Sequence, residues 1–138
     1  MSEANAPHPP IHIVLIDDDP AVLHSLSFTL RLDGFEVSAY ADAAAFLAAP
    51  QPQPWACAII DQDMPGITGL DVAAALRERG STLPLIMMSG GAMPWLKKRA
   101  LDAGFLAVVE KPLFGDELGI AVAQALTLHA SRRDLPPA

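Results

Sequence analysis

Ile11 to Gly34 reads IHIVLIDDDPAVLHSLSFTLRLDG. Its first six residues are an apolar, β-branched run without polar alternation, the pattern of a strand buried on both faces. Three acids follow at once. Asp19 with Pro20 makes a helix start: an acid to cap the free backbone N–H groups, then proline at the first helical position. Val22, Leu26 and Leu30 recur at helical spacing until Gly34 stops the helix. A strand thus runs into a helix across an acidic junction.

The same unit repeats along the chain. Phe35 to Tyr40 reads as a second strand, and Asp42 caps a short alanine-rich helix through Leu47 that PQPQP ends. Cys57 to Ile60 is a third strand, followed by a helix over Leu70 to Arg79 and a stop at Gly80. Leu85 to Met88 is a fourth strand, with a helix over Trp95 to Asp102 and a stop at Gly104. Phe105 to Val109 is a fifth, and a last helix spans Gly115 to about Leu128, with Leu118, Val122, Ala125 and His129 on one face. Five strands alternating with five helices predict an α/β fold with a parallel sheet. Residues 1–10, MSEANAPHPP, read as a flexible leader, 11–129 as one domain, and 130–138 as a tail or the start of a linker.

The bulk properties exclude several classes. A length of 138 residues suits one domain with a sizeable core, and 51% hydrophobic content with mean hydropathy +0.31 indicates a globular chain. A formal net charge of -7 argues against direct binding of nucleic acid, which needs a basic face. The start lacks the basic and apolar regions of a signal peptide, and no apolar run is long enough to span a membrane. A cytoplasmic, reduced setting is expected. The one cysteine, Cys57, reads as a small buried hydrophobe. His8, His12, His24 and His129 have no acid or cysteine at metal-ligand spacing, and none is assigned to a metal.

Position is more informative than composition. Asp17 and Asp18 follow the first strand, Asp61 the third, Ser89 the fourth, and Glu110 and Lys111 the fifth. In an open parallel sheet, ligands bind beyond the carboxyl ends of the strands, so the fold would gather these residues at one edge. Carboxylates brought together repel, and a divalent cation resolves the conflict. An all-oxygen set suits Mg²⁺, which takes one or two carboxylates together with phosphate oxygens. A lysine binds phosphate as a compact positive charge, a serine hydroxyl donates to a phosphoryl oxygen, and an aspartate beside the metal can serve as nucleophile. The set reads as phosphoryl transfer onto Asp61.

The motifs VLIDDDP (14–20), IIDQDMPGITGLDV (59–72), PLIMMSG (84–90) and VEKP (109–112), in this order on a fivefold βα alternation, resemble the receiver domain of two-component response regulators. GFEVSAYADAAAFLA and VEKPL lean toward the FixJ-type subgroup of this CheY-like family. The resemblance implies a doubly wound, flavodoxin-like five-stranded sheet of order 2-1-3-4-5. It implies Asp61 as acceptor of a phosphoryl group from a sensor histidine kinase or phosphotransfer protein. It also implies a Mg²⁺ (or Mn²⁺) site formed by Asp17, Asp18, Asp61 and the backbone carbonyl of Asp63, with Asp18 the more direct ligand of the first pair. Ser89 and Lys111 become the phosphate-binding switch residues, and a cis peptide bond precedes Pro112. The protein is then a phosphoacceptor that supports its own phosphorylation and slow dephosphorylation, not an enzyme.

One position departs from the family. An aromatic residue usually stands three places before the lysine, where it couples to the hydroxyl residue; here the residue is Val108. Lys97, Lys98 and Arg99 form a basic run beside Trp95, either a solvated helix face or a partner contact, and a homodimer is expected as one use of that face. A degenerate receiver acting as a scaffold is the main alternative. A haloacid-dehalogenase-like phosphatase also uses an Asp-x-Asp nucleophile motif, but on its first strand, whereas here DQD comes on the third. A flavodoxin-like cofactor site is opposed by DDDPA, which would repel an anion where a phosphate loop is needed.

Overall fold

The computed structural model describes residues 11–49, 55–91, 93–111, 113 and 116–133. The elements in chain order are β1 (His12–Ile16), α1 (Pro20–Leu32), β2 (Glu36–Tyr40), α2 (Ala43–Ala48), β3 (Cys57–Asp61), α3 (Gly69–Glu78), β4 (Leu85–Ser89), α4 (Pro94–Asp102), β5 (Phe105–Glu110) and α5 (Glu117–Arg133). The five strands form one parallel sheet in the order β2-β1-β3-β4-β5. This is the expected doubly wound α/β architecture, and the apolar runs explain it. β3 and β4 are buried along their whole length, and β1 from Ile13 onward, because helices cover both faces of the sheet.

Alternate residues of each strand feed separate cores. Val14, Ile16, Ala58, Ile60, Leu85 and Met87 pack with Phe46 of α2, Val72 and Leu76 of α3 and Leu96 of α4. Ile13, Leu15, Cys57, Ile59, Ile86 and Met88 pack on the other face with Leu30 of α1 and with Ala121, Val122 and Ala125 of α5. Side chains therefore alternate across the sheet at the strand period of two.

Local chemistry sets the helix ends. Asp19 and Asp42 accept from the backbone N–H groups of Ala21 and Ala44 at 2.9 and 2.7 Å. Thr68 and Asp71 form a reciprocal capping box at the start of α3. At the other end of α3, Arg77 donates to the carbonyl oxygens of Ser81, Leu83 and Gly104. Gly104 has φ +99°, a conformation that favours glycine, and a Cβ there would lie 3.0 Å from the Arg77 guanidinium and displace it.

The strand ends at the carboxyl edge and the end of the last helix differ from expectation. β3, β4 and β5 run one residue further and take in Asp61, Ser89 and Glu110, because the ladder continues: Gln62 N–H donates to Met88 O and Lys111 N–H to Ser89 O, both at 2.8 Å. The last helix does not end near Leu128. It continues to Arg133 and absorbs residues 130–133 of the expected tail, since no Gly or Pro stands between Leu128 and Pro136. The expected cis bond before Pro112 and the leader over residues 1–10 lie outside the described residues. No helix among the described residues is long and apolar enough to cross a membrane.

Cys57 is fully buried, and burial pushes its thiol pKa up to about 12. The native protein at pH 8 should therefore resist a chromogenic disulfide reagent and release one equivalent only in denaturant. Fast stoichiometric labelling without denaturant would contradict this burial.

Candidate functional site

The carboxyl ends of β1, β3, β4 and β5 converge on one charged cluster. Asp17 leaves β1 with its backbone N–H bonded to Tyr40 O at 3.1 Å, and it is fully buried. Its Oδ1 accepts the Asp19 N–H at 2.9 Å, and its Oδ2 accepts the Lys111 ammonium at 2.9 Å. Asp61 closes β3 at 1% exposure; its Oδ1 accepts the Asp63 N–H at 3.1 Å, and its Oδ2 lies 3.3 Å from Lys111 Nζ. Asp18 is exposed at the mouth. One carboxylate oxygen from each of Asp17, Asp18 and Asp61 lies within 4.8 Å of the others. Three hard oxygen donors at this separation, against one lysine, fit a divalent cation of the Mg²⁺ type.

The electrostatics favour a bound cation too. Burial pushes the Asp61 carboxyl above its ordinary value; the Asp63 N–H opposes the shift, the Asp17 charge adds to it and Lys111 opposes it. Burial by itself would lower the Lys111 pKa, but the hydrogen bond and charge of Asp17, then those of Asp61, outweigh it and hold the ammonium above its ordinary range. Lys111 is thus a fixed positive charge at the mouth of the site.

The neighbouring loop is also built into the cluster. Ser89 is 1% exposed, and its Oγ lies 3.4 Å from Asp63 Oδ2 and 3.3 Å from Gly91 O. Asp63 Oδ2 accepts the Gly90 N–H at 2.8 Å. Gln62 holds the start of α3 through Leu70 N–H at 2.9 Å. A Cβ on Gly69 would lie 3.1 Å from Asp61 O, so a larger residue would push α3 and the acceptor strand apart by a few tenths of an ångström.

The sequence profile of the response regulator receiver domain matches residues 13–123. The chain belongs to the response regulator receiver family of two-component systems. The receiver is 40% identical over 116 residues to the transcriptional regulatory protein FixJ of Azorhizobium caulinodans, covering 84% of this chain and 54% of that protein. It is 37% identical over 126 residues to the response regulator protein TodT of Pseudomonas putida, covering 91% of this chain and 55% of TodT. The chain therefore spans about half the length of the curated relatives it matches. Among solved structures, the response regulator StyR superposes with a TM-score of 0.82 at 31% identity over 91% of this chain and 63% of that one. FixJ-N superposes at 0.76 and 26% identity, covering 95% of this chain and all (100%) of FixJ-N.

The receiver brings Asp17, Asp18, Asp61 and Lys111 together as the sequence predicted, with Ser89 beside them. Val108 is partly buried and packs against the core shared with α2, α3 and α4. Trp95 is 56% exposed, and Lys97, Lys98 and Arg99 lie exposed along α4. Lys98 pairs with Asp102 at 3.3 Å in a solvated i,i+4 contact. Sequence reasoning missed the reach of the Asp63 carboxylate and the roles of Gln62 and Gly69. Asp63 and Gly90 are 27 residues apart, and no local pattern joins them.

Asp61 holds its proton to higher pH in the folded receiver than in the unfolded chain. The contribution of Asp61 to stability is full below the unfolded pKa and is lost as pH rises through the folded one. In metal-free buffer at pH 7, Asp61→Asn should raise the urea midpoint, and the gain should vanish as pH falls below the ordinary carboxylate value of 3.8. An equal gain at both pH values would show that repacking, not charge, is responsible.

Proposed function

We propose that this receiver accepts one phosphoryl group on Asp61 from a phosphohistidine of a sensor histidine kinase or phosphotransfer protein. The observation that carries the reading is Lys111, held 2.9 Å from Asp17 and 3.3 Å from Asp61 at the rim of a three-carboxylate cluster. An Asp61 carboxylate oxygen attacks phosphorus, the P–N bond breaks, and the imidazole leaves with its electron pair and takes a proton from solvent. Lys111 offers its ammonium to the phosphoryl oxygens, and Ser89 offers its hydroxyl. Mg²⁺ or Mn²⁺ held by Asp17, Asp18, Asp61 and the Asp63 carbonyl would neutralise charge on the transferring group.

The chain acts here as a phosphoacceptor rather than a multiple-turnover enzyme, and water slowly hydrolyses the acyl phosphate. A cytoplasmic location, no direct contact of this domain with nucleic acid or membrane, and self-association through the exposed α4 face with Trp95 belong to the same reading. The scaffold alternative rests on Val108, which carries no phenol or ring to follow Ser89.

Acetyl phosphate with Mg²⁺ should add one phosphoryl group by intact mass. Asp61→Asn or a chelator should abolish the addition; undiminished labelling in Asp61→Asn would remove Asp61 as acceptor. Val108→Tyr should label like the parent but shift the monomer–dimer balance in sedimentation once labelled. Identical sedimentation of the two labelled proteins would make the valine neutral.

A further inference from the structure

The Asp63 carboxylate does something that a metal-site carbonyl does not require. It bonds the Gly90 amide at 2.8 Å, a short contact between a charged acceptor and a backbone donor in the loop between β4 and α4. The Ser89 hydroxyl is held more weakly. Its one proton faces two acceptors, Asp63 Oδ2 at 3.4 Å and Gly91 O at 3.3 Å, both longer than an ordinary O–H···O bond. The Ser89 oxygen in turn accepts the Gly91 N–H at 3.2 Å, so only the hydroxyl proton can change acceptor, whereas the loop backbone is held at Gly90 by Asp63.

The same residue touches the acceptor. The Asp63 N–H donates to Asp61 Oδ1 at 3.1 Å, so the two carboxylates flank one peptide unit. We propose that Asp63 is an electrostatic latch: its carboxylate holds the β4–α4 loop through Gly90, and phosphorylation of Asp61 releases that loop by charge repulsion. The proposal rests on the reading of Asp61 as phosphoacceptor. Phosphorylation turns the Asp61 carboxylate into an acyl phosphate, whose phosphoryl group carries more negative charge and three further acceptor oxygens. Added negative charge on Asp61, which already bonds the Asp63 N–H, raises the energy of the Asp63 carboxylate's contact with Gly90 in a site sheltered from solvent on the Asp17 and Asp61 side. The Ser89 hydroxyl is meanwhile drawn to the new acceptor and gives up its contact with Asp63. Both changes act on Ser89 and Gly90, just ahead of α4 and exposed Trp95. The device needs no aromatic residue at position 108, where this chain has valine.

Asp63 is a positioning residue here, and the charge-neutral, isosteric variant separates its two functions. Asp63→Asn keeps an oxygen for the Gly90 N–H and removes the charge; Asp63→Ala removes both. The Gly90 amide proton shift and solvent exchange rate in ¹⁵N-labelled protein report the bond, and intact mass reports the labelled fraction of every sample. The unlabelled parent should show a downfield, protected Gly90 amide. In Asp63→Ala it should move upfield and exchange about tenfold faster, the size expected for losing a hydrogen bond to a charged group. With acetyl phosphate and Mg²⁺ the parent should shift the same way, while labelled Asp63→Asn should keep its Gly90 bond. A labelled parent with an unchanged Gly90 amide overturns the latch alone, as does release in labelled Asp63→Asn equal to that in the parent. No mass increase in the parent overturns the phosphoryl reading and the trigger with it.

Discussion

The contact between Lys111 and two buried aspartates organises this protein. A lysine that is only 24% exposed must be paired to stay charged, and the bonds to Asp17 and Asp61 provide that pairing. The three residues stand at the carboxyl ends of β1, β3 and β5, so the contact also ties β5 to the pair β1 and β3, from which β4 separates it. The surrounding features serve that placement. Asp17 is oriented by the N–H of Asp19, Asp61 by the N–H of Asp63, and Gly69 lets α3 close over the acceptor strand.

Most of the fold was legible because several levels of signal agree. IHIVLI, CAII and LIMM are continuous apolar runs; Asp19-Pro20 and Asp42 cap helices; Gly34, Gly80 and Gly104 stop them. The site was legible for a topological reason. A parallel sheet exposes its carboxyl edge, so a polar residue directly after an apolar run is placed there by chain direction alone. Distances along the edge were not legible. Nothing in DQD distinguishes an Asp63 side chain turned toward Gly90 from one left in solvent, since the choice depends on where the fourth strand delivers its loop. The end of α5 was misplaced for a simpler reason: an apolar stripe records where a helix touches the core, and a helix can continue beyond its last core contact.

The charge arrangement separates two kinds of acid. Asp17 and Asp61 are buried and committed to Lys111, whereas Asp18 and Asp63 are exposed. The buried pair defines a rigid frame of fixed charge, in which an electrostatic interaction is strong because water is excluded. The exposed pair faces solvent and can answer to a cation or an anion without disturbing the core. Acids close in sequence, Asp17 with Asp18 and Asp61 with Asp63, thus divide into frame and responder.

β5 differs from the strands inside the sheet. It lies at the edge, three of its residues are only partly buried, and its register with β4 slips between Leu85 and Ile86. A strand with one neighbour and an irregular ladder absorbs changes of side-chain volume more easily than β3, which is enclosed on every side. Position 108 lies on that accommodating strand, one place from the core residue Val109 and three from Lys111. A change of side chain there therefore costs less packing than one in β3, where every residue is buried. The margin of the sheet thus takes up changes in side-chain volume, while Lys111, just beyond β5, stays anchored to the buried aspartates.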